Sequence, residues 1–222
     1  MCIRDSGVAA WWAMPCRGVD EADAAVLVLR NHIGEISPNQ IEHLEQLATT
    51  AGLAFERASL QARLAHAAFH DPLTGLANRG RFFNRNDELA AGVALLYVDL
   101  DRFKPVNDQL GHTAGDLVLV TVADRIARAV RPTDRITRFG GDEFVVECPG
   151  VAGEDAAIEI AERIIAAVEE PIDLEEARVT VGASVGIALA GDPTSLDELL
   201  DRSDAALLAA KAAGRGRWHL SR

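Results

Sequence analysis

A regular spacing of apolar and small residues between positions 41 and 69 most limits what this chain can fold into. The intervals alternate between three and four residues, at Ile41, Leu44, Ala48, Ala51, Phe55, Ala58, Ala62, Ala65 and Phe69. Such a heptad spacing places these side chains along one side of an α-helix. Ser37, Pro38 and Gln40 form a capping box with proline at the first helical position. The sequence predicts a long helix over residues 37–69, either a coiled coil or an ordinary amphipathic helix.

After this helix, helical and strand patterns alternate. Helical periodicity is found at Arg81–Leu89, Thr113–Val130, Ala156–Val168 and Leu196–Ala213. Apolar runs predict strands at Val93–Leu100 and Val179–Leu189, and two short strands flank a glycine-rich turn at residues 135–138 and 144–147. This order predicts an α/β (α+β) fold in which helices cover a mainly antiparallel sheet.

Composition excludes several classes of protein. Of the 222 residues, 49% are hydrophobic and 25% are charged, which is enough to bury a core. The formal net charge of −12 argues against a broad nucleic-acid interface, so a phosphate substrate would need a metal ion or a few local cations. The three cysteines are scattered and form no C-x-x-C pair, which indicates a reducing, cytoplasmic compartment. No apolar run approaches the roughly 20 residues that span a bilayer, and residues 8–14 lack the basic flank of a signal peptide.

Four carboxylates stand at positions where a carboxylate is unusual. Asp99 and Asp101 end an otherwise apolar strand, and a charge there is costly unless it is solvated, paired or bound to metal. Asp142 and Glu143 follow two glycines at the hairpin tip, where missing side chains let a phosphate or base approach the backbone. Their oxygens are hard ligands for Mg²⁺, and two such ions would activate a hydroxyl and stabilise an in-line phosphoryl displacement.

Two cations complete the pattern, because Lys211 and Arg215 lie one turn apart at the end of the last helix and can hold terminal phosphates. Each motif alone has an ordinary structural explanation: a solvated strand end, a hairpin turn, or a solvated helix end. Only their joint order in one chain favours a nucleotide site.

The stretch Gly140–Phe144 resembles the GGDEF signature of diguanylate cyclases, and four other stretches are similar to that family's motifs. They are Asp71–Arg79 (DPLTGLANR), Asp99–Lys104 (DLDRFK) followed by Asn107 and Asp108, Gly111–Asp116 (GHTAGD), and Lys211–Arg215 (KAAGR). The resemblance covers about residues 68–222 and predicts a catalytic domain at residues 70–222. It implies a palm-like fold related to adenylyl cyclase catalytic domains, and a homodimer that condenses two GTP molecules into cyclic di-GMP and releases pyrophosphate.

The same resemblance implies residue roles. For Mg²⁺, with Mn²⁺ as an alternative, the implied ligands are Asp99, the Leu100 carbonyl, Asp142 and Glu143. Glu143 would also help deprotonate the attacking 3′-hydroxyl, and Arg138 would assist transition-state charge. The implied nucleotide contacts are Asn107 and Asp116 to guanine, Phe103, Lys104, Lys211 and Arg215 to phosphate, and Gly140 and Gly141 at the hairpin tip.

Asp116 bears on the choice of base, because a carboxylate accepts from both the N1 and N2 donors of guanine, which adenine lacks. It therefore favours GTP over ATP and argues against a cyclase of other base specificity. The alternative for Asn107 and Asp116 is helix capping, since both are expected in polar loops before or at a helix start.

A regulatory site is implied by Arg131-Pro132-Thr133-Asp134, which has the family's R-x-x-D form at the offset of its product-inhibition site. Arg131 can bind a phosphate or the guanine O6/N7 edge, while Asp134 can accept from N1 and N2. Arg163 is the candidate for a second arginine of this site. The alternative is a helix end followed by a turn. A non-catalytic receptor for cyclic di-GMP is disfavoured because such modules usually lose signature residues, and Gly140–Phe144 is intact.

The beginning of the chain resembles the last part of a GAF sensory domain. A strand at Ala24–Leu29 is followed by HIGEISPNQIEHLEQLA at residues 32–48. We expect a partial GAF-like segment at residues 1–36 and a linker helix at residues 37–69, so that the chain is the end of a longer sensor or a truncated gene product.

Overall fold

The computed structural model describes residues 10–16, 24–30, 37–84, 92–175, 177–191 and 194–221. The chain divides into two compact units, residues 1–66 and residues 67–222. Among the described helices, none has the length and apolar character needed to cross a lipid bilayer.

The first unit contains a strand pair and most of a long helix. Strand β1 (Ala10–Cys16) pairs antiparallel with β2 (Ala24–Arg30), and helix α1 spans Pro38–Phe69. The predicted capping box is confirmed, because the Ser37 amide donates to Gln40 Oε1 at 3.1 Å and the Gln40 amide donates to Ser37 Oγ at 3.4 Å. The predicted strand at residues 24–29 and the long helix are also confirmed. The GAF resemblance of residues 1–36 stays a prediction, because 1–9, 17–23 and 31–36 lie outside the described residues.

The second unit is built on a six-stranded sheet. Its elements are β3 (Ala77–Asn78), α2 (Arg79–Phe83), β4 (Ala94–Asp101), α3 (Phe103–Leu110), α4 (His112–Ala129), β5 (Arg135–Gly140), β6 (Glu143–Cys148), α5 (Glu154–Glu169), β7 (Ile172–Asp173), β8 (Arg178–Val179), β9 (Gly182–Leu189), α6 (Leu196–Ala212) and β10 (Trp218–Leu220). The strand order is β10-β9-β4-β6-β5-β3, and β7 and β8 form a separate pair. The four inner strands pair antiparallel and the two edge strands pair parallel. The prediction of a mainly antiparallel sheet covered by helices is confirmed.

Strand β4 lies in the middle of the sheet, and its alternate residues face opposite sides. Leu96 and Val98 pack in a core with apolar residues of α4 and α5, whereas Leu95 and Tyr97 pack in a second core with residues of α6. Each fully buried leucine contributes about 2 kcal/mol. Asp99 continues the alternation of Leu95 and Tyr97, so it lies near the end of the strand on the side of the sheet that α6 covers.

Several elements differ from the sequence prediction. The helix expected at residues 81–89 is α2, which ends at Phe83, and residues 85–91 lie outside the described part. The strand expected at residues 179–189 is divided into β8 and β9. Helix α3 and the edge strands β3 and β10 were not predicted. Both edge strands are two or three residues long, and segments this short leave no periodic pattern in the sequence.

Candidate active site

The sheet brings the predicted carboxylates together where β4 ends. In the pairing of β4 with β6, Asp99 stands directly opposite Glu143. The Leu100 amide donates to the carbonyl oxygen of Asp142 at 3.2 Å, so the hairpin tip is tied to the same strand end. Directly opposed residues of antiparallel strands have Cβ atoms about 5 Å apart. The structure therefore joins into one site two motifs that are distant along the chain.

The hairpin tip depends on its glycines for backbone conformation. Gly141 has φ +50° and Gly140 has φ +152°, both in the positive region that residues with side chains rarely adopt. A register irregularity between Arg138 and Gly140 accompanies this turn. Gly140 and Gly141 thus have a conformational reason to be glycine, in addition to the predicted close approach of a ligand.

Arg138 holds the hairpin tip through bonds to the protein. Its Nε and Nη2 donate to the carbonyl oxygen of Gly141 at 3.1 and 2.7 Å, and its Nη1 donates to Asp71 Oδ1 at 2.8 Å. Asp71 also accepts from the amide and hydroxyl of Thr74, at 2.8 and 2.7 Å. Burial acts to raise the pKa of Asp71, but the bonds from Thr74 and Arg138 outweigh it and hold that pKa below its usual value. These contacts favour a positioning task for Arg138, and its role in transition-state charge stays a prediction.

The carboxylates of the site are held at an electrostatic cost. Burial raises the pKa of Asp99, and the charges of Asp142 and Asp101 add to the increase while Lys211 opposes it. Burial also raises the pKa of Glu143, with a further contribution from Asp99. Like charges this close favour the arrival of a cation. In the structure that cation is Lys211, whose Nζ lies 2.7 Å from Asp99 Oδ2.

The donor set at this strand end suits a hard divalent cation, because it offers carboxylate oxygens and backbone carbonyls and no sulfur or imidazole. Within the described ranges, no group of three or more His, Cys, Asp or Glu side chains converges as a metal site. A divalent ion bound by Asp99 and Glu143 would therefore complete its coordination with carbonyl oxygens, water or a bound phosphate.

Helices α3 and α4 carry the residues predicted to contact guanine and phosphate. Asn107 lies inside α3 and Asp116 inside α4, so the expectation of polar loops and the capping alternative are wrong; neither helix has a side-chain cap. Gly115 is buried against Asn107, and a Cβ at this position would overlap the Asn107 amide. The side chain of Phe103 is buried in the core, so only its backbone can face a ligand, whereas Lys104 is exposed at the start of α3.

The R-x-x-D residues form a tight turn after α4. The Arg131 amide donates to Asp134 Oδ2 at 2.7 Å, and the Asp134 amide donates to the Arg131 carbonyl at 2.9 Å. Arg163 of α5 approaches the same corner, since its Nε donates to the carbonyl oxygen of Ala129 at 3.1 Å. The three side chains also share one neighbour: burial raises the pKa of the Cys148 thiol to about 12, and the charges of Asp134, Arg131 and Arg163 all act on that thiol. The structure thus gathers the predicted inhibitory residues at one corner.

Tyr97 is a residue of the site that was not predicted from the sequence. Its hydroxyl donates to Glu143 Oε2 at 3.4 Å, and burial together with the charge of Glu143 raises the pKa of Tyr97. Tyr97 precedes Asp99 by two residues, so strand periodicity places both on one side of the sheet. That alternation was the available signal, but an apolar strand offers no reason to choose its tyrosine as functional.

Comparisons with known proteins point to one family. The family described as diguanylate cyclase, GGDEF domain, matches residues 68–217. The chain is 39% identical over 213 residues to the diguanylate cyclase TpbB of Pseudomonas aeruginosa, covering 91% of this chain and 47% of TpbB. It is 38% identical over 212 residues to the bifunctional diguanylate cyclase/cyclic di-GMP phosphodiesterase MucR of the same organism, covering 90% of this chain and 30% of MucR. The chain therefore spans less than half the length of these relatives.

Solved structures give the same result for the fold. The GGDEF domain of TpbB superposes with a TM-score of 0.62 at 39% identity, covering 69% of this chain and 94% of that domain. The coiled coil and GGDEF domain of DgcB from Caulobacter crescentus, in complex with c-di-GMP, superposes with a TM-score of 0.70 at 28% identity, covering 81% of this chain and 98% of that protein. These matches confirm the predicted α+β fold of the second unit.

Proposed function

Because the chain belongs to the diguanylate cyclase, GGDEF domain family, we propose that it condenses two GTP molecules into cyclic di-GMP and releases two pyrophosphates. The observation that carries this proposal is the cross-strand pairing of Asp99 with Glu143 beside the hydrogen bond that joins Leu100 to Asp142. These pairings bring the carboxylates of Asp99, Asp142 and Glu143 to one strand end, where they can serve nucleotidyl transfer.

In each protomer, the second unit (residues 67–222) would bind one GTP. At the guanine edge, Asp116 would accept hydrogen bonds and Asn107 would accept or donate them, and Lys211 and Arg215 would bind the terminal phosphates. The Glu143 carboxylate receives the proton of the attacking 3′-hydroxyl, and its raised pKa suits it to a general base. Tyr97 orients that carboxylate by donating to Oε2.

Asp99, Glu143, Asp142 and the Leu100 carbonyl are the residues that would hold a divalent metal, Mg²⁺ or Mn²⁺. A bound metal would neutralise the charge of the triphosphate and polarise the phosphorus that is attacked. Lys211, whose ammonium pairs with Asp99 in the structure, would bind the terminal phosphates of GTP.

Two half-sites must meet, so we assign homodimerisation to α1, which carries exposed apolar residues along its length. The related DgcB structure, with its coiled coil, supports this assignment. Product inhibition is assigned to Arg131, Asp134 and Arg163, and the c-di-GMP bound in the DgcB complex supports a product-binding surface in the family.

The test is formation of cyclic di-GMP from GTP and Mg²⁺ at several protein concentrations. We expect the wild type to form product with a rate that rises more steeply than linearly with concentration. Asp142→Ala should be slower by about 10³-fold. Asp124→Ala is the matched control, because this exposed carboxylate pairs with Arg128 on the surface of α4. Binding of cyclic di-GMP without any product from the wild type would contradict the proposal and indicate a receptor.

A further inference from the structure

One charged residue near the site has no part in the proposed mechanism. Asp101 is the last residue of β4, and only 6% of its surface is exposed. It follows Asp99 by two residues and so lies on the same side of the strand. A buried carboxylate is retained only where hydrogen bonds or a cation compensate for its lost hydration.

Asp101 joins three separate parts of the chain. The Ser184 hydroxyl, on β9, lies 2.9 Å from both carboxylate oxygens and donates to the group. The Gly216 amide donates to Oδ2 at 2.9 Å, and Arg215 Nε lies 3.8 Å from Oδ1. Gly216 and Arg215 belong to the turn between α6 and β10, so Asp101 ties that turn to the centre of the sheet.

The backbone next to these bonds is strained. Among the described residues, Arg102 and Arg215 are the only ones other than glycine with positive φ, at +62° and +64°. A left-handed conformation costs about 1 kcal/mol for a residue with a side chain, and it persists where surrounding bonds impose it. Arg102 follows Asp101 directly, and Arg215 precedes the amide that Asp101 accepts. Both strained residues are therefore adjacent to the bonds that Asp101 makes.

The two carboxylates at the end of β4 thus contact the two cations at the end of α6, the first carboxylate with the first cation and the second with the second. Asp99 pairs with Lys211 inside the last turn of α6, and Asp101 anchors the turn that carries Arg215. The Arg215 side chain is 59% exposed, so its guanidinium is open to a ligand while its backbone is fixed. We propose that Asp101 is a positioning residue, which holds the Arg215–Gly216 turn so that Arg215 meets the terminal phosphates of GTP. This inference rests on the proposed function, which assigns Arg215 to those phosphates.

The experiment compares two ligands that differ only in the part Asp101 is proposed to serve. Calorimetry with Mg²⁺ measures binding of α,β-methylene-GTP, which cannot be cyclised, and of GMP, which lacks the terminal phosphates. Asp101→Asn keeps the shape but loses the negative charge and one acceptor. We expect its affinity for the triphosphate to fall about 10-fold, as one weakened phosphate contact implies, while its affinity for GMP changes less than about two-fold. Arg215→Ala should show the same pattern.

The outcomes separate this inference from the proposed function. If Arg215→Ala leaves triphosphate binding intact, the assignment of Arg215 is wrong whatever Asp101 does. If Arg215→Ala is selective but a folded Asp101→Asn loses both ligands equally, or neither, the positioning role is overturned. If Asp101→Asn does not fold, Ser184→Ala decides, with an expected selective loss of about three-fold and an unchanged ligand ratio as the contrary result. Ser203→Ala is the control, since this buried hydroxyl donates to the Leu200 carbonyl instead.

Discussion

Helices α1 and α4 are both long and amphipathic, but their apolar residues have different surroundings. In α4, Val118, Val122 and Ile126 are fully buried against the sheet. In α1, Leu53 and Leu64 leave 63% and 61% of their surface exposed. The same kind of periodicity has produced a helix in both places, and it does not specify what covers the helix.

Three exposed leucines of α1, Leu53, Leu60 and Leu64, lie away from the predicted heptad line. At 100° per residue, Leu60 and Leu64 stand about 140° and 180° around the helix from Phe55, which is on that line. Ala48, also on the line, is buried, whereas Leu53, Leu60 and Leu64 form a second apolar stripe. The contrast with α4 makes a distinction that can be tested. Changes on α4 should alter activity equally at every protein concentration, whereas changes on α1 should alter activity by weakening dimerisation, so that their effect depends on protein concentration.

Among the changes that test this distinction, the largest effect is expected from Gly115→Ala in α4. Alanine improves helix propensity by about 1 kcal/mol, so stability should not fall, but its Cβ must displace the Asn107 amide. We expect kcat/KM for GTP to fall about 100-fold at all protein concentrations, as loss of a guanine contact implies. The control is Gly191→Ala, where a Cβ meets only ordinary contact distance from Thr194. If the kcat/KM of Gly115→Ala returned to the wild-type value at high protein concentration, the distinction between the two helices would be wrong.

The next effect concerns the leucine stripe of α1. Leu53→Glu combined with Leu60→Glu places charges on the second apolar stripe, and we expect about 10-fold lower specific activity at low concentration, recovering at high concentration. Ala54→Glu with Gln61→Glu adds the same charge at the same spacing, at exposed positions about 100° around the helix from Leu53 and Leu60. Sedimentation measured beside activity gives the dimer fraction. If the leucine variant dimerises as the wild type does, the leucine stripe is not the dimer contact, and the heptad line through Phe55 is the remaining candidate.

A smaller effect is expected at the R-x-x-D turn, which belongs to the second unit and is proposed to act only after product accumulates. Arg131→Ala should leave the initial rate within about two-fold and raise the final amount of cyclic di-GMP several-fold, because a charge-assisted contact to the inhibitor is lost. Progress curves with and without added product measure this. Arg135→Ala, which removes a nearby arginine paired with Glu147, should behave as wild type. Equal inhibition of both variants would exclude this turn as the inhibitory site.

The smallest effect concerns stability. The pKa of Glu143 is raised in the folded state, so its ionised form costs free energy at neutral pH and nothing below the unfolded pKa, where both states are protonated. Without metal, Glu143→Gln should raise the free energy of unfolding by about 0.5 kcal/mol at pH 7, a small gain because solvent screens the charge. The gain should vanish as pH falls through the titration. Denaturant melts at several pH values test this, and Glu45→Gln on exposed α1 should show no such gain.

Local patterns predicted most of the second unit. The strand at residues 93–100, the helix at residues 113–130 and the hairpin around Gly140 and Gly141 all formed within a few residues of their predicted bounds. Helix α3 was missed because its eight residues contain Pro105 and several polar side chains, which resemble a loop in sequence. The placement of Asn107 within that helix was missed for the same reason.

Sequence order determined which chemical groups this protein has and which elements carry them, because periodicity, turn residues and motif spacing act over a few neighbouring positions. Tertiary structure alone decided the partners: Asp99 with Glu143 and Lys211, Asp101 with Ser184 and Gly216, and Arg138 with Asp71. These pairs depend on strand register and on how α6 lies against the sheet. Contacts between residues so distant along the chain are set by packing of the whole unit, for which no local pattern contains the information.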